Sequence, residues 1–167
     1  MTNPPSGQLV QTADGNQLVL SRTFRAPIED VWASVTEPDR TARWFGTWNG
    51  DAAPGRMIKV QMGFEDQAPW LNKRIVACDP PRRLALSSES GNMRIELLLS
   101  HSDGETELRL VPHLDPTDEI GAYGPGWEYY LDMLAAARGD LPTPLLADYH
   151  PTMKRYYEAL ATHTDPA

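Results

Sequence analysis

Histidines, a lone cysteine and clustered carboxylates are the side chains of this sequence able to do chemistry, and their spacing decides what each can be. The four histidines are His101, His113, His150 and His163. None shows the i, i+4 helical spacing of a metal-ligand pair, so they read as solvated or capping groups. Cys78 is the only cysteine. It can form no internal disulfide, and its place in an apolar strand reads as a small buried hydrophobe rather than an activated thiol. No serine stands in a nucleophile-elbow pattern, and phosphate-cradling glycine loops are absent. The acidic groups Glu65-Asp66 and Asp115 to Glu119 fall in loops, whereas catalytic carboxylates need a shared, desolvated site. Glu128 and Asp132, one helical turn apart, are expected on the wet face of their helix. No metal and no cofactor is implied.

Aromatic residues are the alternative to polar chemistry. Trp44, Phe45, Trp70, Trp127 and Tyr130 exceed what a plain core requires, and Met57, Met62 and Met93 add adaptable apolar surface. Together with Ile95, Leu131 and Leu134 they are the expected lining of an apolar ligand pocket. The phenol of Tyr130 would be its orienting polar group. Trp127 is expected to be the anchor that fixes the last long helix to the sheet.

Elements able to position these residues can be read from periodicity. Trp127, Tyr130, Leu131 and Leu134 recur at i, i+3, i+4 and i+7, the stripe of an amphipathic helix. Pro125 and Gly126 punctuate its start and Gly139 its end. Earlier, Gln8 to Thr12 and Gln17 to Phe24 flank the turn dipeptide Asp14-Gly15. A helix opens at Pro27 with Ile28, Val31, Trp32 and Val35 as its stripe, and a second short helix ends near Trp44-Phe45-Gly46. Strands are then expected at Met57 to Phe64, Leu71 to Cys78, Arg83 to Ser88, Met93 to His101 and Thr106 to His113. With Asp103-Gly104 as a two-residue turn, Leu99 lies opposite Leu108, Leu97 opposite Leu110 and Ile95 opposite Pro112 on one oily face. A terminal helix from about Pro151 carries Met153, Tyr156, Tyr157 and Leu160, a stripe that needs covering by the same domain or by a second copy.

At 167 residues the chain suits one domain: residues 1–7 loose, 8–139 the core, 140–167 a connector and terminal helix. Its formal net charge of -8 disfavours nucleic acid and anionic lipid surfaces. No signal segment or span of transmembrane length is visible, so a cytoplasmic protein is expected.

The order strand, two helices, strands, long helix resembles the helix-grip fold of the START/Bet v 1-like (SRPBCC) superfamily. Within it, the chain is similar to the branch named for the activator of Hsp90 ATPase. The resemblance rests on Leu18 to Phe24, on Ala26-Pro27-Ile28-Glu29-Asp30-Val31-Trp32 and on Arg43-Trp44-Phe45-Gly46. It continues through Asp79-Pro80-Pro81-Arg82-Arg83-Leu84 and Gly124-Pro125-Gly126-Trp127. Where many relatives have a histidine after the helix tryptophan, this chain has Glu128. The resemblance implies an α+β fold, a curved antiparallel sheet wrapped around the long helix. The expected function is non-enzymatic binding of a hydrophobic small molecule, lipid-like or polyketide-like, between that helix and the sheet. The alternatives are a cyclase or hydratase using Tyr130 or Glu128, and a protein-binding domain tied to Hsp90 stimulation. The protein is expected as a monomer or a homodimer.

Overall fold

The computed structural model describes residues 5–13, 15–51, 53–62, 69–91, 94–114, 120–139, 142–149 and 152–163. Eight strands form one antiparallel sheet, β1 (Gln8–Thr12), β2 (Gly15–Phe24), β3 (Gly46–Gly50), β4 (Met57–Met62), β5 (Trp70–Asp79), β6 (Arg83–Ser88), β7 (Ile95–Ser102) and β8 (Glu105–Leu114). Their order across the sheet is β1-β2-β8-β7-β6-β5-β4-β3. Helices α1 (Ile28–Thr36) and α2 (Pro38–Thr41) connect β2 to β3, while α3 (Ile120–Gly139) and α4 (Lys154–His163) follow the last strand. This is the α+β helix-grip arrangement expected from the sequence.

The β7–β8 hairpin has the register read from its residues, with Leu99 opposite Leu108, Leu97 opposite Leu110 and Ser102 opposite Glu105. Asp103 and Gly104 both have positive φ, 53° and 78°, as a type I′ turn demands. The oily face it creates carries Leu99, Leu108 and Leu110. These join Leu18 and Leu20 of β2, and Leu131 and Leu134 of α3, in the main core.

Two elements differ from expectation. Strand β3 was not expected, because Gly46-Thr47-Trp48-Asn49-Gly50 is short and glycine-bracketed and shows no alternation. It forms because β4 offers a free edge, pairing Trp48 with Val60. Gly46 is required there, since any Cβ would collide with the backbone of Gln61. Helix α3 also starts at Ile120, not after Gly124, and carries Pro125 inside it. Proline removes the ladder bond to the Gly121 carbonyl, so this first stretch depends on packing against α4. Two glycines of this stretch permit that packing. A Cβ at Gly124 would strike the Tyr157 ring, and one at Gly121 would come 2.9 Å from Glu158 Cγ. The terminal helix is therefore covered by α3 of its own chain. Among the described residues no helix is long and apolar enough to cross a membrane.

Candidate functional site

A half-enclosed cavity of about 240 Å³ lies between the β3–β7 side of the sheet and the helical layer. Helix α1 contributes Trp32 and Val35, the segment after α2 contributes Trp44 and Phe45, and α3 contributes Trp127 alone. The floor is made by inward residues of the sheet, among them Trp48, Ile58, Val60, Ile75, Leu84 and Leu97. Strand alternation supplies this floor directly, since paired residues share a face. One irregularity matters. The register shifts between Ile75 and Ala77, so that Ile75 pairs with Leu86 and Cys78 with Leu84. The bulge returns Cys78 to the inner face, three residues after Ile75, and makes it part of the wall.

Polar atoms in this wall are mostly engaged elsewhere. Trp44 Nε1 donates to the Ser34 carbonyl at 2.9 Å and Trp48 Nε1 to the Thr36 carbonyl at 2.8 Å. Thr36 Oγ1 donates to Trp32 O at 2.7 Å and Thr41 Oγ1 to Pro38 O at 3.2 Å. Among the described residues Cys78 is the one ionisable residue of the lining, and burial together with Asp79 pushes its thiol above the ordinary value. That keeps it protonated and weakly nucleophilic. The aromatic wall is pre-ordered. Phe45 stacks on Trp127, with ring centroids 6.1 Å apart and planes 8° from parallel, and meets Tyr130 edge-on at 5.3 Å.

The residues expected to line a pocket separate into groups. Trp44, Phe45, Ile95 and Trp127 border the cavity. Tyr130 stands one layer behind it against Phe45. Leu131 and Leu134 are buried at 1% and 0% in the main core, not in the cavity wall. Met62 closes β4 without entering the lining, and Trp70 is 46% exposed at the start of β5. Met93 lies outside the described residues, as do His150, Glu65-Asp66 and Asp115 to Glu119. The cavity is thus displaced from its expected place. Leu131 and Leu134 in the second half of α3 join residues of β2 and β8 in the main core, and the open space lies beneath α1, the Trp44-Phe45 segment and Trp127 in the first half of α3. Sequence reading missed Trp32 and Trp48 as wall residues. Trp32 was legible as part of the α1 stripe, whereas Trp48 sits on the unexpected β3.

Glu128 and Asp132 are not on a wet face. Both are buried, Glu128 at 1% exposure. Arg22 continues the inward positions Leu18 and Leu20 along β2 and reaches α3, with Nε 3.0 Å from Asp132 Oδ1 and Nη2 3.1 Å from Glu128 Oε1. Ser6 donates to both Glu128 oxygens, from its backbone N at 2.6 Å and from Oγ at 2.9 Å. Tyr149 Oη donates to Asp132 Oδ2 at 2.7 Å, and Gly7 N donates to Tyr157 Oη at 3.2 Å. Burial works against the Arg22 charge, but Asp132 and Glu128 outweigh it and raise the guanidinium's pKa. Burial, then Asp132, raises the Tyr149 phenol; burial, then Glu128, raises that of Tyr157. The sequence signal that could have placed these acids is the parity of Arg22, an arginine in an inward row that must find carboxylates.

The histidines stay apart. His113 Nε2 lies 3.1 Å from Glu96 Oε1, and Arg83 Nε lies 3.2 Å from Glu96 Oε2. Burial would raise the Glu96 carboxyl, but bonds from Arg83 and His113 prevail and hold it below its ordinary value. His101 lies in a shallow surface depression with Arg25 and Arg82. Among the described residues no three His, Cys, Asp or Glu side chains are arranged to hold a metal ion.

Solved structures share this architecture. CalU16 from Micromonospora echinospora is 26% identical and superposes with a TM-score of 0.71 over 93% of this chain and 95% of its own. A protein from Bordetella parapertussis is 23% identical, with a TM-score of 0.73 over 95% and 94%. DynU16, described as a putative protein in the dynemicin biosynthetic locus, is 20% identical, with a TM-score of 0.64 over 77% of this chain and 49% of its own. The latter two show the fold alone. No curated protein matches the chain. The model of the Activator of Hsp90 ATPase homolog 1-like protein family matches residues 25–139, well over half of the sequence, and the chain belongs to that family.

Proposed function

We propose that the protein binds one hydrophobic, partly aromatic small molecule in the cavity beneath α1 and Phe45. The observation that carries this reading is the chemistry of the wall. It combines Trp32, Trp44, Trp48, Phe45 and Trp127 with aliphatic strand residues, and its indole and hydroxyl groups at Trp44, Trp48, Thr36 and Thr41 are already engaged within the fold. An apolar cavity of 150 Å³ already admits benzene, so about 240 Å³ suits a fused bicyclic ring with a substituent at the mouth. Holding is favoured over conversion because general acid–base catalysis needs a titrating group within hydrogen-bond reach of the ligand. The described wall offers only the Cys78 thiol, and Glu128 is committed to Arg22.

Titration with the uncharged dye N-phenyl-1-naphthylamine tests this. Saturable enhancement of its fluorescence at one dye per chain is expected. Cys78→Leu, which adds bulk to the wall, should weaken binding while the protein stays folded. Non-saturating enhancement, or affinity indifferent to Cys78→Leu, would contradict the proposal.

A further inference from the structure

We infer that the cavity's ligand carries a single anionic group, a carboxylate or its equivalent, which Lys73 receives at the mouth. This rests on the cavity reading above and gives it a charge requirement.

Strand alternation places Lys73. Ile58, a cavity residue, pairs with Lys73, which pairs in turn with Ser88 on β6. Paired residues share a face, so Lys73 stands on the cavity side of the sheet, two residues before Ile75. Along β5 the inner positions run outward from Ile75, at 1% exposure, through half-buried Lys73 to Leu71, at 38%. Exposure therefore rises from closed interior to solvent along this strand, and Lys73, outside the lining itself but next to Ile58 and Ile75 on the same face, marks the transition.

A lysine here is unusual for its surroundings. Its stem can lie along Ile58 and Ile75 while the ammonium reaches the opening. Among the described residues it has no hydrogen bond or ion pair, and burial lowers its pKa. An inward, desolvated cation without a counter-charge is costly unless something supplies one. Arg22, the inward cation of β2, has two carboxylates; among the described residues Lys73 has none. A ligand bearing an acid group would supply the missing charge while its apolar body fills the aromatic pocket. On a chain of net charge -8, an inward lysine gives an anion a local attraction that the chain as a whole does not.

A matched dye pair separates charge from shape. 8-Anilino-1-naphthalenesulfonate is N-phenyl-1-naphthylamine with a sulfonate added. Lys73→Met should weaken the sulfonate dye about tenfold, the scale of one charge-assisted hydrogen bond, and leave the neutral dye within about twofold. Lys73→Arg should retain most of the sulfonate affinity. Equal effects of Lys73→Met on both dyes, or none on the sulfonate dye, would overturn the inference while leaving the cavity reading standing. Failure of the wild-type protein to bind either dye would remove both.

Discussion

Two flanks of α3 solve opposite problems. Trp127 faces Phe45 and borders empty space, whereas Gly121, Gly124, Glu128 and Asp132 lie against α4, β2 and the N-terminal segment with no space left. The closed flank uses absent side chains for close approach and buried charge for direction. The open flank uses large rings that brace one another around a gap. Interiors pack densely by default, so a gap persists only where its rim is rigid. The closed flank supplies that rigidity, and the helix can then overhang a cavity without collapsing into it.

The largest expected effect comes from breaking the charge network. Arg22→Ala leaves Glu128 and Asp132 buried without a cation and should cost about 3–5 kcal/mol, read as a lower urea midpoint. A change under about 1 kcal/mol would mean that the carboxylates reach water and the flank is not closed. Next is Gly124→Ala, whose Cβ meets the Tyr157 ring; overpacking of this kind should cost about 1–3 kcal/mol. Combining it with Tyr157→Leu should recover part of that loss if the clash is the cause.

Trp127→Ala sharpens the comparison from the other side. Trp127 is only half-buried and borders the cavity, so its loss should cost about 1–2 kcal/mol, less than Arg22→Ala, while weakening dye binding. A reversed order of the two costs would show that the aromatic flank is the tighter one.

The smallest effect concerns the bolt joining α3 to α1. Arg138 Nη2 lies 2.9 Å from Asp30 Oδ2, and Arg138 Nη1 donates to Ser34 Oγ at 2.6 Å. The bond from Arg138 outweighs desolvation and, with help from Arg40, holds the Asp30 carboxyl below its ordinary value. A lowered folded-state pKa gives stability that is present above the unfolded value and lost as pH falls through the folded one. Asp30 is half-exposed, so Asp30→Asn should cost less than about 1 kcal/mol at neutral pH. The difference from wild type should shrink as acid protonates Asp30. A difference that persists in strong acid would point to packing rather than charge.

The fold was legible because its signals are local and periodic. The β7–β8 register followed from one turn dipeptide and an alternating pattern, and the α1 and α3 stripes from 3.6-residue spacing. What escaped depends on partners distant in sequence. Glu128 and Asp132 look solvated until Arg22, more than 100 residues earlier, and α4 enclose them. Gly124 stands just before the expected helix start, and its role shows only once Tyr157 lies on it. Cys78 reaches the cavity wall through a bulge that no composition signals, and Trp48 through a strand that exists because β4 has an edge to fill. The site was half legible for the same reason. Large aromatic residues announce a pocket, but which of them border it depends on where the layers fail to touch.

Diffraction from crystals under xenon pressure compares the two flanks directly, because xenon enters apolar voids. Xenon density should appear among Trp32, Phe45, Ile58 and Leu84, with none between α3 and α4. Density in the α3–α4 contact, or an interior with no xenon at all, would contradict the account.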